Sequence, residues 1–333
     1  MALQSSGQIS FSQIADEFGI PPESNLGAYR VTESVGSLTN LPLDTGIPQS
    51  GQIRFSDFYS KRLNIVVDCH SGETEYRSSA KLKYTENKLK VIGGFRGAPT
   101  NSSGKKVFIN VNKIFGSALG SINNVALRTG SWDSETTLQI DVGSSGEIFG
   151  AGGKGGDANG GTGGSGTSAL GIEYSTTTLI NNGYIQCGYG GGGAGGNGSN
   201  DPDKNTQDHG SSGGGGGGGA GLPNGSGGSK TNTGVYGDGS SGDNGNSSTS
   251  TVRGLGGGGG NGGGSSGGGG GNGGDPNNAA GAGGGGGGNA GTTSGGDPGS
   301  NGNGIIITSS SGSVTISGSG TLNGAIVYDG VVS

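Results

Sequence analysis

A chain of 333 residues would ordinarily hold two or three domains, but 27% hydrophobic residues and 87 glycines leave enough apolar material for only one conventional core. A net charge of −6, with 13% of residues charged, provides no basic stripe for a phosphate backbone and argues against nucleic acid as a partner. No apolar run approaches the ~18 residues of a membrane span, which argues against insertion, and the opening MALQSSGQIS has neither the basic flank nor the apolar stretch of a secretory signal, so an extracellular destination would be reached by another route.

The chain opens with a repeat. SGQISFSQIADEFG (Ser6 to Gly19) and SGQIRFSDFYSKR (Ser50 to Arg62) share SGQI-x-FS followed by an amide or acidic residue. Each predicts a short extended piece leading into a capped helical turn, with Ser10 or Ser12 and Ser56 as N-caps and Asp57 near the positive end of the second turn. Between them lie turn formers with little periodicity. Residues 1–62 therefore read as a small irregular module, and its apolar set, Ile9, Phe11, Ile14, Phe18, Ile53, Phe55, Phe58 and Tyr59, is large for so short a unit. The expectation is attachment to another protein through Phe11, Ile14, Phe18, Phe55, Phe58 and Tyr59.

Residues 63–190 are strand-rich. RLNIVVDC, AKLKYT, KLKVIGGF, KKVFINVNKIFG, NNVALRTG and TTLQIDVG are short runs with β-branched residues and partial alternation, separated by Gly, Asn and Ser. They predict a sandwich or stacked sheets. LQIDVGSSGEIFGAGGKGG is echoed by TTLINNGYIQCGYGGGG: strand, tight turn, strand, glycine. The end of the chain, residues 305–333, returns to the same strand vocabulary.

Glycine is distributed unevenly: 14 glycines precede Gly143 and 73 fall in the last 191 residues. Ordering glycine costs more backbone entropy than ordering any other residue, so an ordered glycine run needs a compensating interaction. Polyglycine-II helices supply one, because threefold helices without Cβ atoms can approach closely enough to exchange N–H···O=C bonds. Runs near 190–196, 213–221, 256–264, 267–274 and 283–288 have suitable lengths, and 191–304 is expected to form such a bundle. The competing expectation is a flexible Gly/Ser linker. Collagen is excluded, since glycine does not recur at every third position and proline totals 9.

Signals for chemistry are weak. GAGGKG matches G-x-G-x-x-G at Gly150, Gly152 and Gly155 but no helix is predicted after it, and neither Gly153-Lys154 nor Gly104-Lys105 completes a phosphate loop. His70 and His209 have no partner pattern for a triad or a zinc site. Asp201, Asp203 and Asn205 occupy calcium-loop positions, but Thr206 and Ser212 stand where the loop needs glycine and glutamate. Cys69 and Cys187 are too few for a disulfide framework and read as buried thiols. No metal, cofactor or catalytic residue is expected.

The glycine runs behind SINNVALRTGSW, LQIDVGSSGEIFGAGGKGG and LINNGYIQCGYGGGGAGGNG resemble the receptor-recognising adhesins at the tips of T-even-like bacteriophage tail fibres, which carry bundles of polyglycine-II helices. The paired SGQI segments around NLGAYR resemble an N-terminal module that recurs in phage virion proteins. The resemblance implies a non-enzymatic protein that is mainly β with a polyglycine-II bundle, made in the host cytoplasm and carried extracellularly on a tail fibre or tail tip. It also implies attachment to other virion tail proteins through the N-terminal module.

Recognition would then fall to the links between glycine runs, where side chains exist. Ser199 to Ser212 and Leu222 to Arg253 are the informative links, with shorter ones at Asp275 to Ala280 and Thr292 to Asn303. Lys204, Asp208, His209, Lys230, Tyr236 and Arg253 are the candidate receptor-binding residues, facing a host surface glycan or an outer-membrane protein. The alternatives are a structural or ice-binding-like glycine-rich surface protein, and a depolymerase, for which Glu147 and Glu173 are a poor carboxylate pair.

Overall fold

The computed structural model describes residues 3–18, 25–30, 33–35, 38–41, 46–48, 50–62, 64–68, 75–77, 80–81, 89–90, 104–130, 132–196, 213–230, 269–276, 294–308, 313–328 and 330. The fold is mainly β with parallel sheets, preceded by a small module that has one α-helix among the described residues.

The N-terminal module is built twice from the same pattern. In the first copy the helix α1, Phe11–Phe18, begins at Ser10, whose Oγ accepts from Gln13 N–H at 3.2 Å while Gln13 Oε1 accepts from Ser10 N–H at 2.8 Å. This reciprocal pair is a capping box, and a cap of this kind stabilises by about 1 kcal/mol. In the second copy, Asp57 Oδ2 accepts from Arg54 N–H at 2.7 Å at the start of the 3-10 turn Phe55–Phe58. The cap position is thus Arg54 rather than Ser56, because the carboxylate at the third position of the turn reaches back to that amide. Gly7 and Gly51, equivalent in the two copies, both have positive φ, +91° and +72°. Phe11 and Phe55, also equivalent, meet edge to face at 4.8 Å.

The apolar set expected to lie exposed is largely the module's own core. Ile14, Phe18 and Phe58 have no exposed surface and pack with Tyr29, Ile9 and Ile47, while Phe11, Phe55 and Tyr59 are half-buried around them. Between the two copies a short antiparallel pair, β1 (Glu33–Val35) and β2 (Leu38–Leu41), completes the module.

Downstream, the chain coils. A first rung comprises β3 (Asn64–Asp68), β4 (Glu75–Arg77) and β5 (Ala80–Lys81), with β6 (Leu89–Lys90) pairing antiparallel on β3. The second is β7 (Lys106–Val111), β8 (Ile114–Gly116) and β9 (Val125–Arg128); the third is β10 (Thr137–Val142), β11 (Glu147–Phe149) and β12 (Ser168–Ile172). The fourth is β13 (Thr177–Asn181), β14 (Tyr184–Gln186) and β15 (Asn303–Ile307), and the fifth is β16 (Val314–Ser317), β17 (Thr321–Asn323) and β18 (Ala325–Tyr328). First strands pair in parallel with first strands, second with second and third with third, giving three sheets around a three-sided solenoid. Of the expected sandwich or stacked sheets, the sandwich is not formed. The tight turns do not make hairpins: they carry the chain round a corner into the next sheet, and the echoed turns at Gly143–Gly146 and Asn182–Gly183 stack on each other, with Tyr184 N–H bonded to Gly146 O at 3.0 Å.

In-register stacking forms the core. Val67, Ile109, Ile140, Leu179 and Ile316 align across the five rungs of one sheet, Phe115, Ile148, Ile185 and Leu322 align in the second, and Leu127, Leu170, Ile305 and Ile326 in the third. Parallel neighbours lie about 4.8 Å apart, so like side chains pack on one another along the coil. The residues of the middle rungs are fully buried, whereas Ile316, Leu322 and Ile326 at the last rung are half-buried.

The two glycine-rich excursions leave from one corner, between second and third strands. One, in the third rung, covers residues 150–167, and the other, in the fourth, residues 187–302. The described glycine-rich segments within them, 150–157, 160–167, 187–196, 213–222, 223–230, 269–275 and 294–302, lie side by side and belong to no sheet. They draw on both the 63–190 and the 191–304 spans.

Their hydrogen bonds repeat every third residue. N–H groups of Gly188, Gly191 and Ala194 donate to the carbonyls of Thr167, Gly164 and Gly161, and those of Tyr189, Gly192 and Gly195 donate to Ala220, Gly217 and Gly214, all at 2.8–2.9 Å. The carbonyls of Gly188, Gly191 and Ala194 accept in turn from Gly302, Gly299 and Gly296. Segment 187–196 is the centre of this array, bonded to five other described segments. Close approach requires the missing side chain: a Cβ on Gly216 would lie 2.0 Å from Gly192 O, and one on Gly191 would lie 2.1 Å from Lys154 O. The expected runs at 256–264 and 283–288 lie outside the described residues.

Candidate functional site

The directions of the segments sort their connections into two ends. Gly150, Thr167, Cys187 and Gly302 adjoin the strands of the solenoid and mark the near end. The turn Asp157–Gly160 joins the first two segments at the far end. Following the hydrogen-bond ladders from these anchors places Gly196, Gly213, Lys230, Gly269 and Ser294 at the far end, and Leu222, Pro223 and Pro276 at the near end. The links 197–212 and 231–268 therefore both start and finish at the end of the array away from the solenoid. Asp275 is at the near end and is buried, and of the other candidate links the parts 222–230 and 294–302 are segments of the array that run between its two ends.

Among the candidate receptor-binding residues, Lys230 is exposed at the far end, where it opens the second of these links. Lys204, Asp208, His209, Tyr236 and Arg253 lie outside the described residues, as do Asp201, Asp203 and Asn205 of the calcium-like sequence. Among the described residues no group of three or more His, Cys, Asp or Glu could hold a metal ion. No described helix is long and apolar enough to cross a membrane.

The near end is fastened to the solenoid by side chains. Leu222 packs against Phe149, Tyr184 and Ile114, its carbonyl accepts from Ser117 N–H at 3.0 Å, and the Phe149 and Tyr184 rings stand 5.6 Å apart. Next to it Cys187, Tyr189 and Ala220 form a small buried cluster. Burial pushes the Cys187 thiol up to about 11 and raises the Tyr189 phenol as well. Cys187 is thus a buried, unreactive thiol; Cys69 lies outside the described residues.

One cluster at the far end carries little signal in the sequence. Asp157 Oδ2 is 2.7 Å and Oδ1 3.0 Å from Lys154 Nζ, and Oδ1 accepts from Ser229 N–H at 2.9 Å and Ser229 Oγ at 2.7 Å. The hydrogen bond from Lys154, then that from the Ser229 backbone, lowers the Asp157 carboxyl to about 2. The clue was the K-x-x-D spacing inside GKGGDANG, where a charged pair and turn formers interrupt glycine. Lys154, the lysine of the incomplete phosphate-loop match, serves this pair. Glu173 is likewise engaged: Arg128 donates to it at 2.5 and 3.2 Å and Gly130 N–H at 3.1 Å.

No curated protein matches the chain. Among solved structures, the gp37–gp38 adhesin tip complex of the bacteriophage S16 long tail fibre is similar at 19% identity, covering 100% of both chains with a TM-score of 0.42. A family model described as phage tail fibre adhesin Gp38 matches residues 82–267, more than half of the chain and the stretch that runs from the first rungs of the solenoid through the turn at Asp157 and the links at the far end. The chain therefore belongs to the phage tail fibre adhesin Gp38 family, a component of the virion tail.

Proposed function

We propose that this adhesin binds a host cell-surface receptor through the links at the far end of its glycine array, and that residues 1–62 hold it to other tail proteins. The observation that carries this reading is the placement of both ends of the links 197–212 and 231–268 at the pole opposite the solenoid. Along the array itself the segments offer mostly backbone, and their amides are used by neighbours. Contact with a receptor then rests on Lys230 at the pole and on the residues Lys204, Asp208, His209, Tyr236 and Arg253 that the sequence of the links supplies. Polar links rich in Ser, Gly and Asn with a tyrosine suit a hydrophilic target, a surface glycan or a loop of an outer-membrane protein.

The array is well suited to present such links. We infer that its segments are polyglycine-II helices, because a hydrogen-bond repeat of three residues is the repeat of that helix, with a rise of about 3.1 Å per residue. A packed array of such helices gives the links a stiff base. The protein acts by binding rather than by catalysis.

Exchange of residues 230–253 for the corresponding link of a related adhesin tests the reading. The expected result is altered or lost adsorption to the host with an unchanged unfolding temperature. Unchanged adsorption after replacing both 197–212 and 230–253 would move the receptor site to the solenoid.

A further inference from the structure

We propose that Asp157 is a positioning residue for receptor recognition: by holding Ser229, it sets where and in which direction the 231–268 link leaves the array. This rests on the proposed receptor role of that link. Ser229 is gripped on three sides by one short turn. Its N–H and Oγ–H donate to Asp157 Oδ1 at 2.9 and 2.7 Å, and its carbonyl accepts from Ala158 N–H at 2.8 Å. The next residue, Lys230, is exposed, and the link carrying Tyr236 and Arg253 follows it.

The turn is itself fixed. Gly161 N–H bonds back to Asp157 O at 3.0 Å, Gly160 N–H to Gly195 O at 3.0 Å, and Lys154 Nζ braces the carboxylate from the other side. Asp157 therefore joins a rigid corner of the array to the last gripped residue before the link. Charge-assisted hydrogen bonds are about twice as strong as neutral ones, and two of them converge on a single residue here. The neighbouring segment ends show why such a grip matters: segment 223–230 is bonded along one flank to Gly152, Gly155 and Ala158 and along another to Gly219 and Gly216, so its far terminus would otherwise be held by backbone bonds alone.

The test compares Asp157→Ala, Asp157→Asn, Lys154→Met and Ser229→Ala in the full-length protein. Three measurements are made: global unfolding temperature, trypsin cleavage after Lys230, and adsorption to host cells. Asp157→Ala should raise cleavage after Lys230 about tenfold, as expected for local opening eased by loss of two hydrogen bonds, and slow adsorption, while the unfolding temperature stays put. Asp157→Asn keeps an oxygen for Ser229 and should restore most of both, and Lys154→Met, which removes the brace but leaves the grip on Ser229, should raise cleavage less than Asp157→Ala does. Ser229→Ala should fall between. Unchanged cleavage and adsorption in Asp157→Ala would overturn the proposal. Faster cleavage with unchanged adsorption would also overturn it, and exchange of 230–253 then tells which part failed: altered adsorption in the exchange keeps the link as the receptor site and removes Asp157 from its function, whereas unaltered adsorption removes the link.

Discussion

Lys105 Nζ stands 2.7 Å from Glu17 Oε1, with only 6% and 5% of the two side chains exposed. This pair joins the end of α1 to the residue that leads into β7, and Arg62 adds a bond to Gly104 O at 2.9 Å. The N-terminal module is thus docked on the solenoid by a buried ion pair. Removing one partner strands the other's charge, so Glu17→Gln or Lys105→Met should each cost about 3–5 kcal/mol, while replacing both with apolar residues of similar size should recover most of it. Thermal unfolding of the three variants checks this; equal stability of single and double variants would show that the pair is not electrically isolated.

Because of that pair, a truncation must be designed with care. Removal of residues 1–62 together with Lys105→Ser should leave a soluble protein that adsorbs to cells but no longer enters virions. Loss of cell adsorption with incorporation intact would reverse the orientation proposed for the molecule.

In the glycine array, Gly216→Val should destabilise by more than about 1 kcal/mol and loosen its neighbours, since the added Cβ would sit 2.0 Å from Gly192 O. Amide exchange shows it directly. Amides of Gly188, Gly191, Ala194 and Gly216 should be strongly protected in the unaltered protein and exchange faster in the variant. Protection no better than in an unfolded chain would refute an ordered array.

The interior ladder of the solenoid makes a graded prediction. Ile140→Ala, at the fully buried middle rung, should cost about 2–5 kcal/mol by leaving a cavity between Ile109 and Leu179. Ile316→Ala, at the half-buried last rung, should cost clearly less. Denaturant unfolding of the two variants compares them.

Asp157 supplies a pH test. Its folded carboxyl is lowered from 3.8 to about 2, so its contribution is present in full above 3.8 and is lost as pH falls toward and through 2. The carboxyl resonance of Asp157 should titrate with a midpoint near 2 in the native protein and move toward 3.8 in Lys154→Met. A native midpoint near 4 would mean that the lysine contact is not kept in solution.

Much of the coil was visible in the sequence as strands, and even its period could be heard in the echo between Leu138–Gly156 and Thr177–Gly193. What stayed hidden was their parallel stacking. Partial alternation in TTLQIDVG fits a sandwich as well as a solenoid, and rungs interrupted by 150–167 and 187–302 show no constant repeat length. The Phe18 and Phe58 side chains looked too numerous for their module because sequence does not reveal that the two SGQI copies fold onto each other through Phe11 and Phe55. At the far end, Lys230 was legible as a charge outside glycine, while Asp157 was not, since its meaning depends on Ser229, 72 positions later.

That both glycine-rich excursions depart from and return to the same corner of the coil has a consequence for how such a protein can vary. Closing a flexible loop costs only about 0.6 kcal/mol more each time its length doubles. A link anchored at both ends of the far pole, as at Gly196 and Gly213, can therefore lengthen, shorten or be swapped wholesale while Ile109, Ile140 and Leu179 remain stacked beneath it. With the receptor role proposed for the pole, mutations that retarget it are insulated from those that would unfold the molecule, and a lineage can explore new hosts without first acquiring spare stability.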